Sequence, residues 1–501
     1  MDRTGDMLFS LKGLNSRARH IISHDANKDW SSTRYYGERC LNFNAYAVSK
    51  DDYKISTIAL LGSSRSQSDI YVRSDDDISS VHCAFIANHR SGVIIVEDRS
   101  GGNTRIYQDV DSKKNMVDTS RRLPRIAVMR NYNTVICLGK PENEARFEIK
   151  WNVEIADIKN VIASRVAAAH PSVRAKGMIV FPGQTPATGT HHIRHCTVQK
   201  LGCGAFGQVF KTVDAVSGDF IAVKMLKGPS NQNDPRWRQL IRLTRDREVG
   251  LVSQLNCPYI VQYLGSQGWS SGNVQIFMPM KAGTLHDLGE RQQSPEQMAD
   301  IAHAALLQML AAIDFLELNG LVHRDLKPDN ILYDVDRQGR YNFQLADFGQ
   351  ANLASKAKSM AGTIVYMAPE VHDNTFAQTS KVDVWSLFLT MAWFFNEGQF
   401  RDKLESSRML TNQETCRIAL EVAIGSHSMY FMRDMAIYEP KYRASAAQML
   451  TSLDRNNMIS SQPARRLPSN HFDMWMSLVT SGRSQCSQAV MSLLHPHGWH
   501  Y

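Results

Sequence analysis

The sequence predicts two structural classes within one chain of 501 residues: an all-β region first and an α+β region after it. Between about residues 35 and 153, short runs rich in Ile and Val alternate with Gly, Ser, Asp and Asn, as in ISTIALLG and GVIIVED. After residue 195, strand-like segments give way to helical ones, and 295–320 has apolar residues at i, i+3 and i+4. Strands followed by helices indicate an α+β domain with two lobes.

Changes in these patterns give the predicted domain boundaries. The stretch GMIVFPGQTPATGTHH has neither helical nor strand periodicity and is typical of a linker. Weak signals at both termini indicate extensions. The predicted segments are an N-terminal extension (1–30), an all-β sandwich (31–155), a linker (156–194), the two-lobed α+β domain (195–457) and a C-terminal extension (458–501).

Composition restricts the class of protein. With 43% hydrophobic and 21% charged residues, the chain is globular, which excludes disordered and collagen-like proteins. No uninterrupted apolar run approaches eighteen residues and no signal peptide is visible, so we expect a soluble intracellular protein without a membrane partner. Eight scattered cysteines without a CxxC pair indicate reduced thiols. The net charge of +8 comes without a basic block, so no direct nucleic-acid binding is expected.

A glycine-rich segment separates two predicted strands. Gly202, Gly204 and Gly207 form a GxGxxG pattern, in which backbone N–H groups can approach phosphates without interference from side chains. Lys224 interrupts the apolar run IAVK in the next strand and needs an anionic partner, for which Glu248 is the candidate. Taken alone, the glycines also fit an ordinary hairpin and Lys224 also fits a solvated surface lysine. The motifs that follow in the sequence favour phosphate binding.

Three acidic motifs follow in a fixed order. HRDLKPDN contains Asp325 and Asn330, ADFG contains Asp347, and APE ends at Glu370. Carboxylates and an amide on turns between short strands suit the binding of a hard cation and the positioning of a hydroxyl.

This ordered set resembles the signature motifs of eukaryotic protein kinases over residues 197–453. The resemblance implies ATP and Mg²⁺ as cofactors and protein Ser or Thr hydroxyls as the acceptors. It implies that Lys224, paired with Glu248, holds the α- and β-phosphates. Asp325 would orient the substrate hydroxyl, and Lys327 follows the serine/threonine-specific pattern.

The same resemblance implies the remaining kinase positions. Asn330 and Asp347 would bind the Mg²⁺ ions. The ATP-contacting residues would be Leu201, Gly202, Gly204, Gly207, Val209, Ala222, Lys224, Met278, Met280 and Leu332. A pseudokinase that lacks activity is the alternative.

Further kinase-like residues concern architecture and control. The resemblance implies that Asp383 anchors the catalytic loop and that Glu370 pairs with Arg443 in the helical lobe. In the activation loop it implies Ser355 and Ser359 as phosphorylation sites and Thr363 as a substrate-docking residue.

A second set of residues lies in the β-rich region and resembles the forkhead-associated (FHA) domain, a β-sandwich whose loops bind phosphothreonine peptides. It is carried by LGSSR, SSVH and DRSGGNT, so the overall fold class is an FHA-like sandwich plus a bilobal kinase fold. Ser79 would bind the phosphate. Arg65 stands two residues after Ser63, which replaces the family's arginine, and Gly102-Asn103 inverts the family's Asn-Gly pair.

An FHA domain before a serine/threonine kinase resembles the checkpoint kinases of the DNA-damage response and their fungal meiotic relatives. The resemblance implies recruitment to a phosphothreonine-containing partner or self-association as a dimer, and residence in the nucleus or otherwise the cytoplasm. Two alternatives stay open: a catalytically silent scaffold that binds phosphopeptides, and an active kinase whose β domain is a phosphate-independent docking or autoinhibitory module.

Overall fold

The computed structural model describes sixteen stretches of the chain and divides it into two compact units. The described residues are 7–33, 37–44, 55–73, 77–107, 116–117, 125–130, 134–153, 158–161, 193–204, 207–226, 234–336, 338–353, 363–373, 378–406, 410–461 and 464–494. The first unit comprises Met1–Gly204 and Gln208–Val223, and the second comprises Ala205–Gly207 and Lys224–Tyr501.

Two β-sheets form the N-terminal part of the first unit. Their strands are β1 (Met7–Gly13), β2 (Ser31–Ser32), β3 (Cys40–Asn44), β4 (Ile55–Gly62), β5 (Ile70–Tyr71), β6 (Cys83–Asn88), β7 (Ile94–Asp98), β8 (Thr104–Tyr107), β9 (Met116–Val117), β10 (Arg125–Val128), β11 (Val135–Leu138) and β12 (Ala145–Trp151). One sheet has the order β2-β3-β1-β12-β11-β8-β9, and the other has the order β10-β7-β6-β4-β5.

The two sheets pack against each other over a shared aromatic core. Phe9 and Phe43 from the larger sheet each lie 5.0 Å, between ring centroids, from Phe85 of the smaller sheet. All three side chains are fully buried, as expected for the inward faces of a sandwich. The structure therefore has the sandwich layout that the runs of Ile and Val predict.

The sandwich begins earlier than the sequence-based boundary at residue 31. Strand β1 lies between β3 and β12 and pairs antiparallel with both. Helix α1 (Ser16–Ser23) follows, and the Asn15 side chain accepts a hydrogen bond from Ala18 N–H at its start. The segment placed in an N-terminal extension therefore supplies an internal strand of the larger sheet.

The first unit continues into three strands, of which Gly207, Lys224 and Met225 are counted with the second unit. These are β13 (His195–Gly204), β14 (Gly207–Asp214) and β15 (Phe220–Met225). In the β14–β15 turn, Asp214 Oδ1 accepts hydrogen bonds from the N–H groups of Val216 and Ser217, which is the pattern that favours Asp in turns.

The second unit contains further strands and most of the helices described in the chain. Its strands are β16 (Gly265–Gln267), β17 (Gln275–Pro279), β18 (Gly283–Thr284), β19 (Leu321–Val322), β20 (Ile331–Val335), β21 (Tyr341–Leu345) and β22 (Asn352–Leu353). Its helices are α2 (Pro235–Thr244), α3 (Leu285–Gly289), α4 (Pro295–Leu318), α5 (Pro369–Asp373), α6 (Lys381–Phe395), α7 (Phe400–Glu405), α8 (Asn412–Gly425), α9 (Ala446–Ser452), α10 (His471–Thr480) and α11 (Ser487–Leu494).

Two long helices form the centre of this unit. Helix α4 begins with a capping box of Ser294 and Gln297 and has Pro295 in its first turn, which explains where it starts. Within the described residues α4 is long and apolar enough to cross a membrane, although polar residues interrupt its apolar runs, and 67% of that stretch is buried in the protein. Helix α6 is buried on nearly every side, as its apolar sequence predicts.

The C-terminal extension is an integral part of the second unit. Asp314 of α4 accepts hydrogen bonds from the N–H groups of Ser460 and Ser461, which directs the chain back across the helices. In α10, Phe472 and Trp475 are buried in the main core. The weak sequence signal after residue 457 therefore conceals two packed helices, because α10 and α11 have few residues to show a helical period.

Replacing Trp475 with alanine tests this packing. Trp475 is 1% exposed, so Trp475→Ala is expected to cost about 3–5 kcal/mol and to lower the unfolding temperature of this unit by roughly 6 °C or more. Met474, on the same helix, is 52% exposed, and Met474→Ala is expected to change stability by about 0.5 kcal/mol at most. Scanning calorimetry of the full chain measures both, and equal effects would show that α10 is not packed as described.

Candidate functional site

The segment after β19 is held by a buried carboxylate. Asp383, at the start of α6, accepts hydrogen bonds from His323 N–H at Oδ2 (2.8 Å) and from Arg324 N–H at Oδ1 (2.7 Å). Arg324 has φ of 68°, a left-handed conformation that costs energy for a residue other than glycine. Burial raises the pKa of Asp383, and the two N–H groups oppose that rise. Asp383 therefore anchors this loop, as the sequence predicted.

Asp325 follows directly and is surrounded by polar groups. Its Oδ1 accepts hydrogen bonds from both N–H (2.8 Å) and Oγ1 (2.7 Å) of Thr363. Its Oδ2 lies 3.1 Å from Lys327 Nζ and 3.0 Å from Asn330 Nδ2. Lys327 Nζ also donates to Thr363 Oγ1 at 2.7 Å. The structure thus brings together Asp325, Lys327, Asn330 and Thr363, with an aliphatic hydroxyl held between a carboxylate and an ammonium group.

Asp347 supplies a second carboxylate, next to the predicted lysine. Lys224 Nζ donates to Asp347 Oδ1 at 2.7 Å, and Lys224 is 6% exposed. Burial by itself raises the pKa of Asp347, but attraction to Lys224 and the hydrogen bond from it outweigh this and leave the pKa below its usual range. Asp347 stands two residues after the end of β21 and has φ of 61°, a left-handed conformation.

The ion pair described for Lys224 is with Asp347, and the predicted pairing with Glu248 is not tested. Glu248 lies in the one-turn π-helix Arg245–Val249, and its side chain lies outside the described residues. The predicted pair of Lys224 and Glu248 therefore stays a prediction, and the described ion pair is with Asp347. Ser355 and Ser359 also lie outside the described residues, whereas Thr363 contacts Asp325 as expected of a residue at the substrate position.

The predicted ATP-contacting residues belong to both units. Leu201, Gly202, Gly204, Val209 and Ala222 lie on β13, β14 and β15 of the first unit. In the second unit, a Cβ at Gly207 would lie 2.4 Å from the carbonyl oxygen of Met225, so only glycine fits there. Met278 lies on β17, Met280 is the first residue after β17, and Leu332 lies on β20.

The predicted structural ion pair is present in the helical part. Arg443 Nη1 and Nη2 donate to Glu370 Oε1 and Oε2 at 2.7 and 3.0 Å. Both side chains are fully buried. Arg443 also donates to the carbonyl oxygens of Ile437, Lys381 and Tyr438, so the buried guanidinium has a full set of acceptors.

In the sandwich, three loops that carry the candidate phosphate-binding residues are joined by hydrogen bonds. Ser63 N–H donates to the carbonyl oxygen of Ser79 at 3.0 Å. His82 is fully buried, takes a hydrogen bond from Ser79 N–H at Nδ1 and pairs through Nε2 with the carbonyl oxygen of Asn103. Burial lowers the pKa of His82, which favours the neutral ring that can accept and donate in this way.

Two further candidate residues of these loops, Arg65 and Gly102, make contacts that the structure describes. The guanidinium of Arg65 lies 4.8 Å from the centre of the Tyr71 ring. Gly102 has φ of 114°, and its N–H donates to Asp98 Oδ2 at 2.6 Å. The structure therefore brings the loops of Ser79, Gly102 and Asn103 together, and it places Arg65 on the loop that follows β4.

Sequence reasoning missed one polar residue of consequence. Asn88 ends β6 and is 2% exposed, and it lies in CAFIANHRSG, which otherwise shows only strand and turn signals. A single buried Asn after an apolar strand is too common a pattern to indicate a role by itself.

The low pKa of Asp347 has a consequence for stability. A carboxyl group with a lowered folded-state pKa stabilises the fold above its unfolded pKa of about 4, and this contribution is lost as the pH falls through the folded value. We expect the stability difference between wild type and Asp347→Asn to be constant above about pH 5 and to shrink below about pH 4. Thermal unfolding across pH measures it, with exposed Asp329→Asn as the matched control. A difference that persists to about pH 2 would contradict the Lys224–Asp347 pair.

The comparisons with known proteins agree with this site. Residues 196–453 match the family model described as protein kinase domain. MAP kinase kinase kinase mkh1 of Schizosaccharomyces pombe is 27% identical over 311 residues, which cover 56% of this chain and 27% of that protein. Mouse serine/threonine-protein kinase TAO3 is 32% identical over 195 residues, or 38% of this chain and 20% of that protein.

A plant relative gives a similar match. Mitogen-activated protein kinase kinase kinase 3 of Arabidopsis thaliana is 35% identical over 266 residues, which cover 50% of this chain and 39% of that protein. The matched region thus spans well under half the length of each of these relatives. Because the kinase-domain model covers more than half of the chain and its motif residues form the site described above, the chain belongs to the protein kinase family.

Proposed function

We propose that this chain is a serine/threonine protein kinase that uses ATP and Mg²⁺ and transfers the γ-phosphate to hydroxyl groups of proteins. The observation that carries the proposal is the position of the Thr363 hydroxyl, which lies 2.7 Å from both Asp325 Oδ1 and Lys327 Nζ. A carboxylate that holds an aliphatic hydroxyl beside an ammonium group is the arrangement that phosphoryl transfer to Ser or Thr requires.

The residues present fit the cofactors that the kinase family uses. Asn330 Nδ2 donates to Asp325, which leaves Asn330 Oδ1 and the Asp347 carboxylate as oxygen ligands of the kind that Mg²⁺ prefers. Gly207 packs against the carbonyl oxygen of Met225 too closely for any other residue, and a glycine-rich segment lets backbone N–H groups approach phosphates. Lys224 supplies a fixed positive charge beside Asp347.

The roles of the chain's own residues follow from this geometry. ATP with Mg²⁺ supplies the phosphoryl group. Asp325 orients the acceptor hydroxyl and receives its proton at Oδ1. Lys327 places its positive charge beside Asp325 Oδ2 and the hydroxyl oxygen, and Asp383 keeps the loop rigid through His323 and Arg324. Preorganised charge of this kind is the main source of catalysis when the reaction needs positioning more than covalent chemistry.

Removing the Asp325 carboxylate tests the activity. Asp325→Ala is expected to lower kcat by at least about a hundredfold with little change in KM for ATP, because the group acts on the acceptor hydroxyl. Incorporation of labelled phosphate with Mg²⁺ measures it, and mass spectrometry then shows whether Ser355 or Ser359 carries the phosphate. The matched control is Asp329→Ala, an exposed residue of the same loop. Wild type that binds ATP but incorporates nothing would favour the silent scaffold.

For the N-terminal sandwich, we infer an FHA-like phosphothreonine-binding function. The support is the convergence of the three loops through Ser63, Ser79, His82 and Asn103: these hydrogen bonds fix the loop that carries Ser79, whose hydroxyl is a donor of the kind that binds a phosphate dianion. Arg65 provides a cation on the adjoining loop. The bound peptide would recruit the kinase to a partner or to a second copy of the chain.

Ser79→Ala tests this second function. It is expected to weaken binding of a phosphothreonine peptide about tenfold, because a charge-assisted hydrogen bond contributes about 1.5 kcal/mol. Kinase turnover on a peptide substrate should not change. Fluorescence anisotropy measures the binding, with Ser80→Ala, an exposed neighbour, as the control. Undiminished affinity of Ser79→Ala, or equal loss in both variants, would remove Ser79 from the phosphate site.

The pathway rests on resemblance alone. A part in checkpoint or meiotic signalling and nuclear residence follow from the combination of the two domain types, and they stay predictions. The relatives named as MAP kinase kinase kinases match about half of this chain, and their names do not define its substrate.

A further inference from the structure

The turn between β14 and β15 is bonded to the β-sandwich within the first unit. Asn88 Nδ2 donates to the carbonyl oxygen of Ser217 and to Asp219 Oδ1, each at 2.9 Å. In edge strand β10, Ala127 N–H donates to the carbonyl oxygen of Ala215 at 2.7 Å. One sandwich side chain and one sandwich backbone group therefore satisfy three acceptors of the kinase-domain turn.

An apolar contact accompanies these bonds. Val93, Ala127 and Met129 of the sandwich form one buried cluster with Cys196 and Val213, and Phe220 packs against it. Gly218 has φ of +71°, and a Cβ there would lie 3.0 Å from Ile95 Cδ1. The turn therefore needs glycine both for its backbone conformation and for its close approach to the sheet. Buried apolar side chains together with hydrogen-bonded polar groups are typical of a specific, well-packed interface.

The position of this contact on the hairpin decides its effect. Strand β14 runs from Gly207 to Asp214, which at about 3.3 Å per residue separates the two ends by roughly 23 Å. The sandwich holds the end at Asp214, and the glycine-rich segment is at the opposite end. Strand β15 then leads from Phe220, in the apolar contact, to Lys224. The contact thus fixes the turn of the hairpin, at the end away from the glycine-rich segment.

We propose that the sandwich is a permanent support for the kinase hairpin, with Asn88 as a positioning residue for Val209 and Ala222. The contact uses main-chain carbonyls, one carboxylate and apolar side chains, so it requires no phosphate. This function goes beyond peptide binding by the loops of Ser79 and Asn103. Of the two phosphate-independent roles that the sequence left open, the geometry favours docking that supports activity over autoinhibition.

Replacing Asn88 with aspartate tests whether the sandwich supports the hairpin. Asn88 Oδ1 accepts hydrogen bonds from the N–H groups of Arg90 and Ser91, and aspartate retains these bonds. Asn88→Asp instead puts a carboxylate against Asp219 and the carbonyl of Ser217. In the nucleotide-free full chain, amide hydrogen exchange in 207–226 is expected to accelerate about tenfold, since a lost bond to a charged group is replaced by repulsion.

The reciprocal change and a matched control give the test its specificity. Asn88→Asp with Asp219→Asn restores a donor–acceptor pair and is expected to return exchange to within about threefold of wild type. Asn42→Asp makes the same exchange at a site bonded within the sandwich, to Ser32 and Ser10, and should leave 207–226 unchanged. With ATP present, Asn88→Asp should raise KM for ATP about three- to tenfold with a smaller change in kcat.

Three outcomes would overturn the proposal. These are unchanged exchange in Asn88→Asp, equally fast exchange in the reciprocal double variant, and slower or faster exchange in 207–226 when a phosphothreonine peptide saturates the wild type. The last would make the contact a peptide-operated switch. Because exchange is measured without nucleotide, a chain that shows the support but transfers no phosphate would overturn only the proposed kinase activity.

Discussion

The catalytic region depends on one buried carboxylate. Asp383 is fully buried, and its two oxygen atoms each accept a backbone N–H, from His323 and from Arg324. A buried charge is tolerated only when hydrogen bonds replace its hydration. If the loop moved away, the Asp383 carboxylate would stay buried without hydrogen-bond donors, so the loop is held in place. This constraint stabilises the left-handed conformation of Arg324 and thereby determines the direction in which Asp325 projects.

Asp325 then organises the groups around it. Its two oxygen atoms contact Thr363, Lys327 and Asn330, so a single side chain links the loop after β19 to the segment before α5. Thr363 lies between Asp325 and Lys327 in this structure, at the place where an acceptor hydroxyl would bind. In the proposed reaction the acceptor hydroxyl would take the place of the Thr363 hydroxyl, among the same contacts that hold the loop and the following segment together.

Much of the kinase region was predictable because its chemistry lies in short contiguous motifs. HRDLKPDN alone contains Asp325, Lys327 and Asn330, whereas the Glu370–Arg443 pair, 73 residues apart, was predicted only through the resemblance to kinases. The alternation of apolar runs and turns likewise predicted two classes of domain. Motifs and apolar periodicity are local patterns, so they can be recognised in the sequence without a structure.

What sequence could not show depends on distant contacts. Lys224 is bonded to Asp347, which is 123 residues away, and no local pattern indicates that bond. Strand β1 and the helices α10 and α11 are short, and their place in a sheet or core comes from tertiary packing rather than periodicity. Asn88 shows the same limit, since its partners Ser217 and Asp219 are 129 and 131 residues away.

The contact at Asn88 also illustrates how a small interface can be sufficient inside one chain. Three polar bonds and a cluster of six apolar residues are fewer than separate proteins need for stable association. Here the chain joins the two partners, so docking is intramolecular and its effective concentration is on the order of millimolar. The entropy of association is largely removed by the covalent link, and the few remaining contacts determine orientation. The two roles that we propose for the sandwich, phosphopeptide binding by its loops and support of the kinase hairpin, are compatible because they use different residues of the same sandwich.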